Sequence, residues 1–415
     1  MRSVTKQLVA ALALVAGLVP MGSASAAEKI SDGVVKLGVL TDMTGYYSDL
    51  SGAGSVLATK MAIEDFKAKA KPAFKIEMVS GDHQLKADVA SNTARKWIDE
   101  QQVDAIVDLV SSSTALAVMP VVNEKKRIAL FSGPGTTAIT GAQCNPYTIH
   151  YTYDNWALAN GTGREVVNEG GKTWFFITAD YAFGKSLEDD TTKVVQAAGG
   201  KVLGSVRFPS PGTTDFSSYI LQAQNSKAQI IGLANAGADT VNAIKAANEY
   251  GATQTQKMAG LLIFITDIHS LGLSVAKGLY ATTAFYWDMN DETRKWSKRF
   301  QNDPDNKKKA MPTMVQAGIY SAVTHYLQAV QATGTDDADA VRKKMSEMPV
   351  NDFFAKNGHI GPDGLHRHDM YLVQVKTPQE SKGPWDYYRV VKTIPAAQAF
   401  PTVQEQNCPH PIAVK

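Results

Sequence analysis

A strand, a serine cluster, a helix and a second strand follow one another within residues 103–137, and this unit constrains the fold more than any other stretch. Residues 103–110 (VDAIVDLV) are a short apolar run with β-branched side chains, which is typical of a buried strand. Three serines at 111–113 then precede apolar residues at helical spacing, and a second apolar run at 127–131 leads into the turn SGPGTT. Because parallel strands place their carboxyl ends side by side, both turns are expected at one ligand-binding edge of a sheet.

The three serines can be interpreted in two ways. Unpaired backbone N–H groups at a helix start, together with the hydroxyls of Ser111, Ser112 and Ser113, can satisfy a carboxylate without a cationic side chain. Serine is also a common helix cap, in which case these residues serve only to begin the helix. The local pattern alone does not separate an anion site from a cap.

Strands and helices alternate along most of the chain, which favours parallel sheets with right-handed crossovers. The first set of strands is predicted at 34–40, 74–80, 103–110 and 127–131. The pattern then restarts, with strands predicted at 173–178, 201–208, 229–234 and 258–264. We therefore predict an α/β protein with two Rossmann-like lobes, each built on a parallel central sheet.

Three later helices, at 291–301, 312–332 and 336–348, exceed what the second lobe needs and are assigned to the first. Further strands are predicted at 278–285, 370–376 and 386–392. The chain then crosses between the lobes about three times, near 147–152, 278–288 and 348–354, which makes a three-segment hinge. The predicted boundaries are 27–148 plus 286–348 for lobe 1, 149–285 plus 349–393 for lobe 2, and 394–415 for a C-terminal tail.

The first 26 residues have the features of an export signal. Arg2 and Lys6 precede an apolar stretch at 8–19, and small residues at 24–26 suit cleavage. The apolar stretch is shorter than the ~20 residues that a membrane-spanning helix requires. Removing the two basic residues leaves 42 − 2 = 40 Lys and Arg against 40 Asp and Glu. With no net charge and no basic stripe, the exported chain is not expected to bind nucleic acid.

Cys144 and Cys408 are the two cysteines of the chain. In an oxidising compartment they are expected to form a disulfide that ties the tail to the loop after the 127–131 strand. The alternative is a pair of free, buried thiols. Two cysteines without a CxxC pattern indicate neither a zinc site nor a redox site.

The segments VKLGVLTDMTG, SSST, FSGPGTT, DYAFG and GLYATTAF occur in this order behind the export signal. This ordered set resembles the type I periplasmic solute-binding proteins of ABC importers, a family that includes the leucine/isoleucine/valine-binding proteins and binders of amides and small aromatic acids. The resemblance covers nearly all of the exported chain. It implies a periplasmic protein that holds a small ligand between two lobes and delivers it to ABC permease subunits; a monomer without a cofactor is expected.

The resemblance also implies roles for residues of the first lobe. Ser111, Ser112 and Ser113, together with Gly135 and Thr136, would bind a ligand carboxylate through hydroxyl and backbone N–H groups.

In the second lobe, Tyr181 would close over the ligand, and Asn235 and Ala236 would line the cleft. Asp267 lies where amino-acid binders of this family carry an acid for the ligand ammonium, but its surroundings, ITDIHS, depart from the expected glycine-rich turn. This departure favours a ligand other than an α-amino acid.

Aromatic residues near the predicted cleft indicate what the part of the ligand other than its carboxylate is made of. Tyr46 and Tyr47 follow the first strand and could stack on a flat ligand, or could pack within their own loop. The FYW sequence at 285–287 could likewise face the cleft or belong to the core of the hinge. Together they favour an aromatic or other apolar carboxylate, with branched-chain or other amino acids and amides as the alternative.

Other function classes are less well supported. A sensor that delivers its ligand to a receptor would have the same fold. A hydrolase is disfavoured because GxSxG is absent and no His lies near the serines in sequence. The HRHD stretch at 366–369 could suggest a metal, but a solvated turn is favoured because spaced partner ligands are missing. Without GxxxxGK[ST], the chain is not the transport ATPase itself.

Overall fold

The computed structural model describes residues 29–413, so the export signal predicted at 1–26 lies outside the described residues. A first parallel sheet has the strand order β2-β1-β3-β4-β5. Its strands are β1 (Val34–Thr41), β2 (Lys75–Asp82), β3 (Ala105–Asp108), β4 (Ile128–Phe131) and β5 (Thr148–His150). The connecting helices are α1 (Gly52–Ala70), α2 (Ala87–Gln101) and α3 (Ser112–Lys125). We call this sheet and the helices packed on it lobe 1.

A second parallel sheet, in the order β7-β6-β8-β9, forms the centre of lobe 2. A helix with a π turn at Ala159–Gly163 precedes it, made of α4 (Asn155–Leu158) and α5 (Arg164–Asn168). The strands are β6 (Thr173–Ala179), β7 (Lys201–Phe208), β8 (Ile230–Ala234) and β9 (Lys257–Gly260). The helices are α6 (Ala182–Ala197), α7 (Ser217–Asn225), α8 (Ala238–Glu249), α9 (Ile265–Leu271) and α10 (Leu273–Ala276).

A small antiparallel sheet, in the order β10-β13-β14, joins the later segments of the chain. Its strands are β10 (Tyr280–Thr283), β13 (Met370–Val375) and β14 (Tyr388–Ile394), and β11 (His359–Ile360) pairs separately with β12 (His366–Arg367). The intervening helices are α11 (Asp291–Asn302), α12 (Met314–Thr333) and α13 (Ala338–Glu347). Since α12 packs along α1, it lies with lobe 1. The numerical lobe boundaries given above stay a prediction.

Apolar runs explain the two central sheets. Every residue of β3, β4 and β8 is buried, as expected for parallel strands covered by helices on both faces. The fold class predicted from the alternation is thereby confirmed. The strand predicted at 258–264 is wrong in its extent, because β9 ends at Gly260. The backbone N–H of Phe264 instead donates to the Asp267 carboxylate at 2.9 Å, which begins α9.

The C-terminal tail, with α14 (Ala396–Ala399) and α15 (Val403–Gln406), is held on lobe 1. The predicted disulfide is confirmed, because Cys144 and Cys408 are bonded. Beside it, the Gln406 amide donates to Thr140 at 3.0 Å. Within residues 29–413, no helix is both long enough and apolar enough to cross a membrane.

The interpretation of 366–369 as a solvated turn is wrong. His366 and His368 are fully buried, and each has a ring nitrogen within 3.0 Å of a backbone carbonyl oxygen, that of Tyr151 or Thr152. Arg367 forms a buried ion pair with Asp363 at 2.6 Å. No group of His, Cys, Asp or Glu side chains suited to a metal ion occurs in the described part of the chain.

Candidate ligand site between the lobes

A small cavity of about 10 Å³, enough for about one water molecule, lies where the carboxyl ends of the two central sheets face each other. Nine of its lining residues lie in connections that follow strands β1, β3, β4, β5, β6, β8 or β9, and the tenth, Phe183, lies in the first turn of α6. This is the edge at which α/β sheets bind ligands. The lining residues are Tyr47, Leu50, Val110, Gly133, Tyr153, Tyr181, Phe183, Ala236, Leu262 and Phe264.

The wall of the cavity is aliphatic and aromatic, and its polar side-chain groups are tyrosine hydroxyls. Among residues 29–413, none with a charged side chain lines it. Tyr47 of lobe 1 and Tyr181 of lobe 2 share a hydrogen bond of 2.7 Å between their hydroxyls, while Tyr153 donates to Gly133 O. Burial raises the pKa of all three phenols. They therefore remain neutral hydrogen-bonding groups at physiological pH.

The turn after β1 is folded around a buried aspartate, which explains how Tyr47 reaches the cavity. The Asp42 carboxylate accepts the backbone N–H groups of Gly45 and Tyr47, each at 2.8 Å. Burial raises the pKa of Asp42, and these two hydrogen bonds oppose the shift. A side chain at position 45 would approach the Asp42 carboxylate too closely, so glycine is required there.

The predicted serine cluster lies next to the cavity, at the start of α3. Ser111 has the extended backbone of a helix N-cap, φ −96° and ψ 134°, yet its side chain makes no capping hydrogen bond. Its hydroxyl lies 3.0 Å from that of Ser113. Neighbouring Val110 lines the cavity. The first N–H groups of α3 therefore begin the helix without a serine side-chain cap.

The structure brings Ser112 together with Gly135 and Thr136, as the sequence predicts. The Ser112 hydroxyl oxygen accepts the backbone N–H of Gly135 at 3.3 Å and that of Thr136 at 3.2 Å. The donors proposed for a carboxylate thus already have an internal acceptor. The Thr136 hydroxyl weakly accepts the N–H of Ala138 at 3.4 Å.

Gly135 also lies where the two lobes approach each other. Its carbonyl accepts the N–H of Asn155 at 2.7 Å, and the Asn155 amide donates to Phe183 O at 3.0 Å. A side chain at position 135 would clash with Asn155 and with the Phe183 ring. Nearby, Thr137 donates to the Asp190 carboxylate at 3.1 Å across the lobes. The lobes are therefore in direct contact beside the cavity.

Not every residue predicted in lobe 2 reaches the cavity. Ala236 lines it, but Asn235 is fully buried and is used internally. The Asn235 amide donates to Ile177 O at 3.2 Å, and its oxygen accepts the Thr240 hydroxyl at 2.6 Å. The Asp267 carboxylate caps its own helix, and burial raises its pKa to about 7. Leu262 and Phe264 occupy the cavity wall on this side.

The other aromatic candidates lie outside the cavity wall. Tyr46 is half-buried and does not line the cavity. Phe285 packs edge-on against Trp296, with ring centroids 5.8 Å apart, and Trp287 donates to Trp385 O at 2.7 Å. These contacts support the alternative in which residues 285–287 belong to the core of the hinge and do not face the cleft.

Sequence reasoning missed several lining residues. Leu50 follows β1 by nine positions and each of the others follows a central strand within four, and that placement was the only available signal. The missed residues are Leu50, Val110, Gly133, Tyr153, Phe183, Leu262 and Phe264.

A family model described as periplasmic binding protein matches residues 34–384. The chain belongs to the periplasmic binding protein family. Its resemblance to the type I members that serve ABC transporters is thereby confirmed. No curated protein matches the chain.

Solved structures of periplasmic binding proteins agree with this assignment. One from Burkholderia mallei is 53% identical, with 91% of this chain and 99% of that chain covered and a TM-score of 0.88. A branched chain amino acid ABC transporter periplasmic ligand-binding protein from Burkholderia xenovorans LB400 is 42% identical over 90% of this chain and 99% of that one, with a TM-score of 0.80. A solute binding protein from R. palustris in complex with 4-hydroxybenzoate is 20% identical, with 88% of this chain and 97% of that chain covered. Its TM-score of 0.78 shows a shared fold.

Proposed function

We propose that this periplasmic binding protein is the substrate-binding component of an ABC importer, acts as a monomer, and binds a small organic acid with an aromatic or other apolar body. The observation that carries the proposal is the interlobe cavity. Its wall is apolar, its side-chain polar groups are neutral tyrosines, and the start of α3 adjoins it. An apolar body matches the chemical character of the wall, and a carboxylate suits the N–H groups at the helix start; because the cavity between the closed lobes is small, the lobes must separate to admit such a ligand.

The carboxylate would bind at Gly135 and Thr136 by replacing Ser112 as their acceptor. A charged oxygen accepts a hydrogen bond about twice as strongly as a neutral one, so the exchange favours the ligand. The freed Ser112 hydroxyl could then donate to the same carboxylate. Micromolar affinity requires about −8 kcal/mol. Two or three hydrogen bonds to a charge, at about 1.5–3 kcal/mol each, together with burial of an apolar body, can supply it after the entropy of association is subtracted.

Binding of an amino acid is the second candidate, favoured by the name of the Burkholderia xenovorans relative. An α-ammonium group would need a carboxylate or several carbonyl oxygens near the ligand. The Asp267 carboxylate instead caps α9, and Leu262 and Phe264 present apolar side chains to the cavity. The apolar wall therefore favours an apolar acid over an amino acid. The 4-hydroxybenzoate bound to the R. palustris protein is an acid of this kind.

We further propose that the ligand is bound and released unchanged. The family consists of solute-binding transport proteins. In the described part of the chain, no His, Cys or charged side chain lines the cavity that could activate a nucleophile there.

A thermal-shift screen of residues 27–415 tests the proposed ligand class. Benzoate, 4-hydroxybenzoate, branched-chain amino acids, succinate and benzamide are compared with glucose and adenosine. An acid present at 100 times its Kd should add about 2.7 kcal/mol to the free energy of unfolding. Stabilisation by glucose or adenosine alone would refute the proposal, and stabilisation by amino acids alone would favour the second candidate. Loss of acid uptake on deleting the gene would distinguish transport from sensing.

A further inference from the structure

The turn that joins β3 to α3 has an unusual backbone. Asp108, the last residue of β3, has φ 83°, and Leu109 has φ 54°. Residues other than glycine rarely occupy this left-handed region, and they stay there only where the surrounding structure holds them. Aspartate tolerates the region better than most residues, whereas leucine does not. The turn is therefore strained and depends on contacts that hold it.

A buried hydrogen bond from the start of α1 holds this turn. The Asp108 carboxylate is fully buried, and its Oδ2 accepts the Ser51 hydroxyl at 2.5 Å. Its Oδ1 has no hydrogen-bond partner in the described part of the chain. Ser51 is the N-cap of α1, yet its side chain makes no capping hydrogen bond. The Ser51 hydroxyl thus joins the start of α1 to the end of β3 and does not cap its own helix.

The α1 side of this bond is itself fixed by α12. The Ser51 carbonyl accepts the Gln316 side-chain amide at 3.2 Å, and the Leu50 carbonyl accepts the Thr313 hydroxyl at 2.7 Å. Gln316 and Thr313 form the capping box that begins α12. The bond between Asp108 and Ser51 therefore ties the β3–α3 turn to a well-braced part of lobe 1.

Both partners of the bond stand next to residues that line the cavity. Leu50 precedes Ser51, and Val110 is the second residue after Asp108. Val110 in turn packs tightly on Gly133, because a Cβ at position 133 would lie 2.6 Å from the Val110 Cα. The bond thus fixes the spacing of three segments of the cavity wall.

The same turn sets the direction in which α3 begins. Ser111, three residues after Asp108, is the N-cap of that helix. Ser112 follows and accepts the N–H groups of Gly135 and Thr136. A rotation of the turn would move the first N–H groups of α3, and Ser112 with them, relative to the turn after β4. Because hydrogen bonds weaken steeply when they are misaligned, such a rotation would impair the proposed carboxylate site.

We propose that Asp108 is a positioning residue for the ligand carboxylate: through Ser51 it holds the strained β3–α3 turn and so aims the start of α3 at the anionic end of the ligand. This inference rests on the proposed function and adds a residue to its site. Asp108 is fully buried and does not line the cavity, so it acts only by orienting the groups in front of it. Loss of the bond should therefore weaken recognition of the charge more than recognition of the apolar body.

Ligand pairs that share a body and differ in charge test the proposal. Titration calorimetry compares benzoate with benzamide, and hexanoate with hexanamide for an aliphatic body. The wild-type protein should bind the acid of a pair about tenfold more tightly than its amide. In Asp108→Ala, which loses the acceptor, this ratio should fall by at least about threefold. Asp108→Asn keeps an acceptor oxygen and tolerates the left-handed backbone, so it should recover most of the wild-type ratio.

Asp104→Ala is the matched control. Asp104 is a buried aspartate immediately before β3, at the end of the strand away from the cavity, and it accepts the backbone N–H of Lys36 at 2.8 Å. This variant should keep the wild-type ratio, whatever happens to its stability. Ser51→Ala removes the donor of the bond and should lower the ratio as Asp108→Ala does. If Asp108→Ala does not fold, the Ser51→Ala ratio decides.

The outcomes separate the two proposals. If the wild type binds no acid more tightly than its amide, the proposed function fails and this inference fails with it. If the wild type prefers the acid and the deciding variant keeps that ratio, only the positioning role is refuted. An equal fall in Asp104→Ala or in Asp108→Asn would refute it too, since the effect would not depend on the bond. A ratio that rises in Asp108→Ala would mean that Asp108 repels the ligand charge, which also contradicts the proposal.

Discussion

Replacing Ser112 by alanine tests how the start of α3 and the turn after β4 are linked. The Ser112 hydroxyl accepts the N–H groups of Gly135 and Thr136 at 3.3 and 3.2 Å, and no other residue in the described part of the chain is bonded to it. Each such hydrogen bond contributes about 0.5–1.5 kcal/mol net. Both are long, so Ser112→Ala should lower the free energy of unfolding of the ligand-free protein by about 1–2 kcal/mol.

Ser112→Ala should affect ligand binding in two opposite ways. The variant loses the hydroxyl that would donate to the ligand carboxylate, which removes about 1.5–3 kcal/mol. It also no longer has to break the two internal hydrogen bonds before the ligand can bind. The loss and the gain partly cancel, so Kd should lie between no change and about 30-fold weaker.

Urea denaturation measures the change in stability, and titration calorimetry with the best acid from the screen measures Kd. Ser91→Ala is the control, because Ser91 is half-buried on α2 and donates only to Asp88 O at 3.2 Å. It should change neither quantity measurably. A loss of more than about 100-fold in affinity with unchanged stability of the ligand-free protein would refute the reasoning. The internal bonds would then contribute nothing, and Ser112 would act on the ligand alone.

Three further predictions follow from contacts outside the cavity. Cys144→Ser should lower the free energy of unfolding by about 2–5 kcal/mol in urea, because it removes the bond to Cys408; an equal stability with and without reductant in the wild type would contradict this. Gly161→Ala should destabilise by about 1–3 kcal/mol, because the added methyl group clashes with Thr282. Burial raises the pKa of Asp104 to about 7, above its unfolded value, so its contribution to stability is lost as pH rises from about 4 to 7. Asp104→Asn should therefore gain stability relative to the wild type over that interval, and a pH-independent difference would argue against the raised pKa.

Strands β3, β4 and β8 were predictable because they are buried on both faces and therefore read as apolar runs. The strand β5 was not predicted, because Thr148–His150 is only three residues long and contains two polar side chains. The sequence LLIF after Gly260 looks like a continued strand, yet the Asp267 side chain begins a helix there. The hydrogen bond at this helix start joins a side chain to a backbone N–H three residues earlier, which periodicity does not reveal.

The candidate site was predictable in its position more than in its chemistry. Tyr47, Tyr181 and Ala236 reach the cavity, since the ends of parallel strands converge. Asn235 and Asp267 do not, because each side chain is bonded within lobe 2. Whether a polar residue faces a ligand or satisfies its own backbone depends on contacts between distant segments, and a single sequence does not show them.

The internal hydrogen bonds of Ser112 suggest how an anion could be selected without a cationic side chain. A neutral carbonyl that displaced Ser112 from Gly135 and Thr136 would exchange one neutral acceptor for another and gain little. A carboxylate would gain, because charge-assisted hydrogen bonds are about twice as strong. The hydrogen bond between Tyr47 and Tyr181, which joins the lobes, involves only neutral hydroxyls. We therefore expect the serine cluster, and not the tyrosine pair, to supply the preference for a carboxylate.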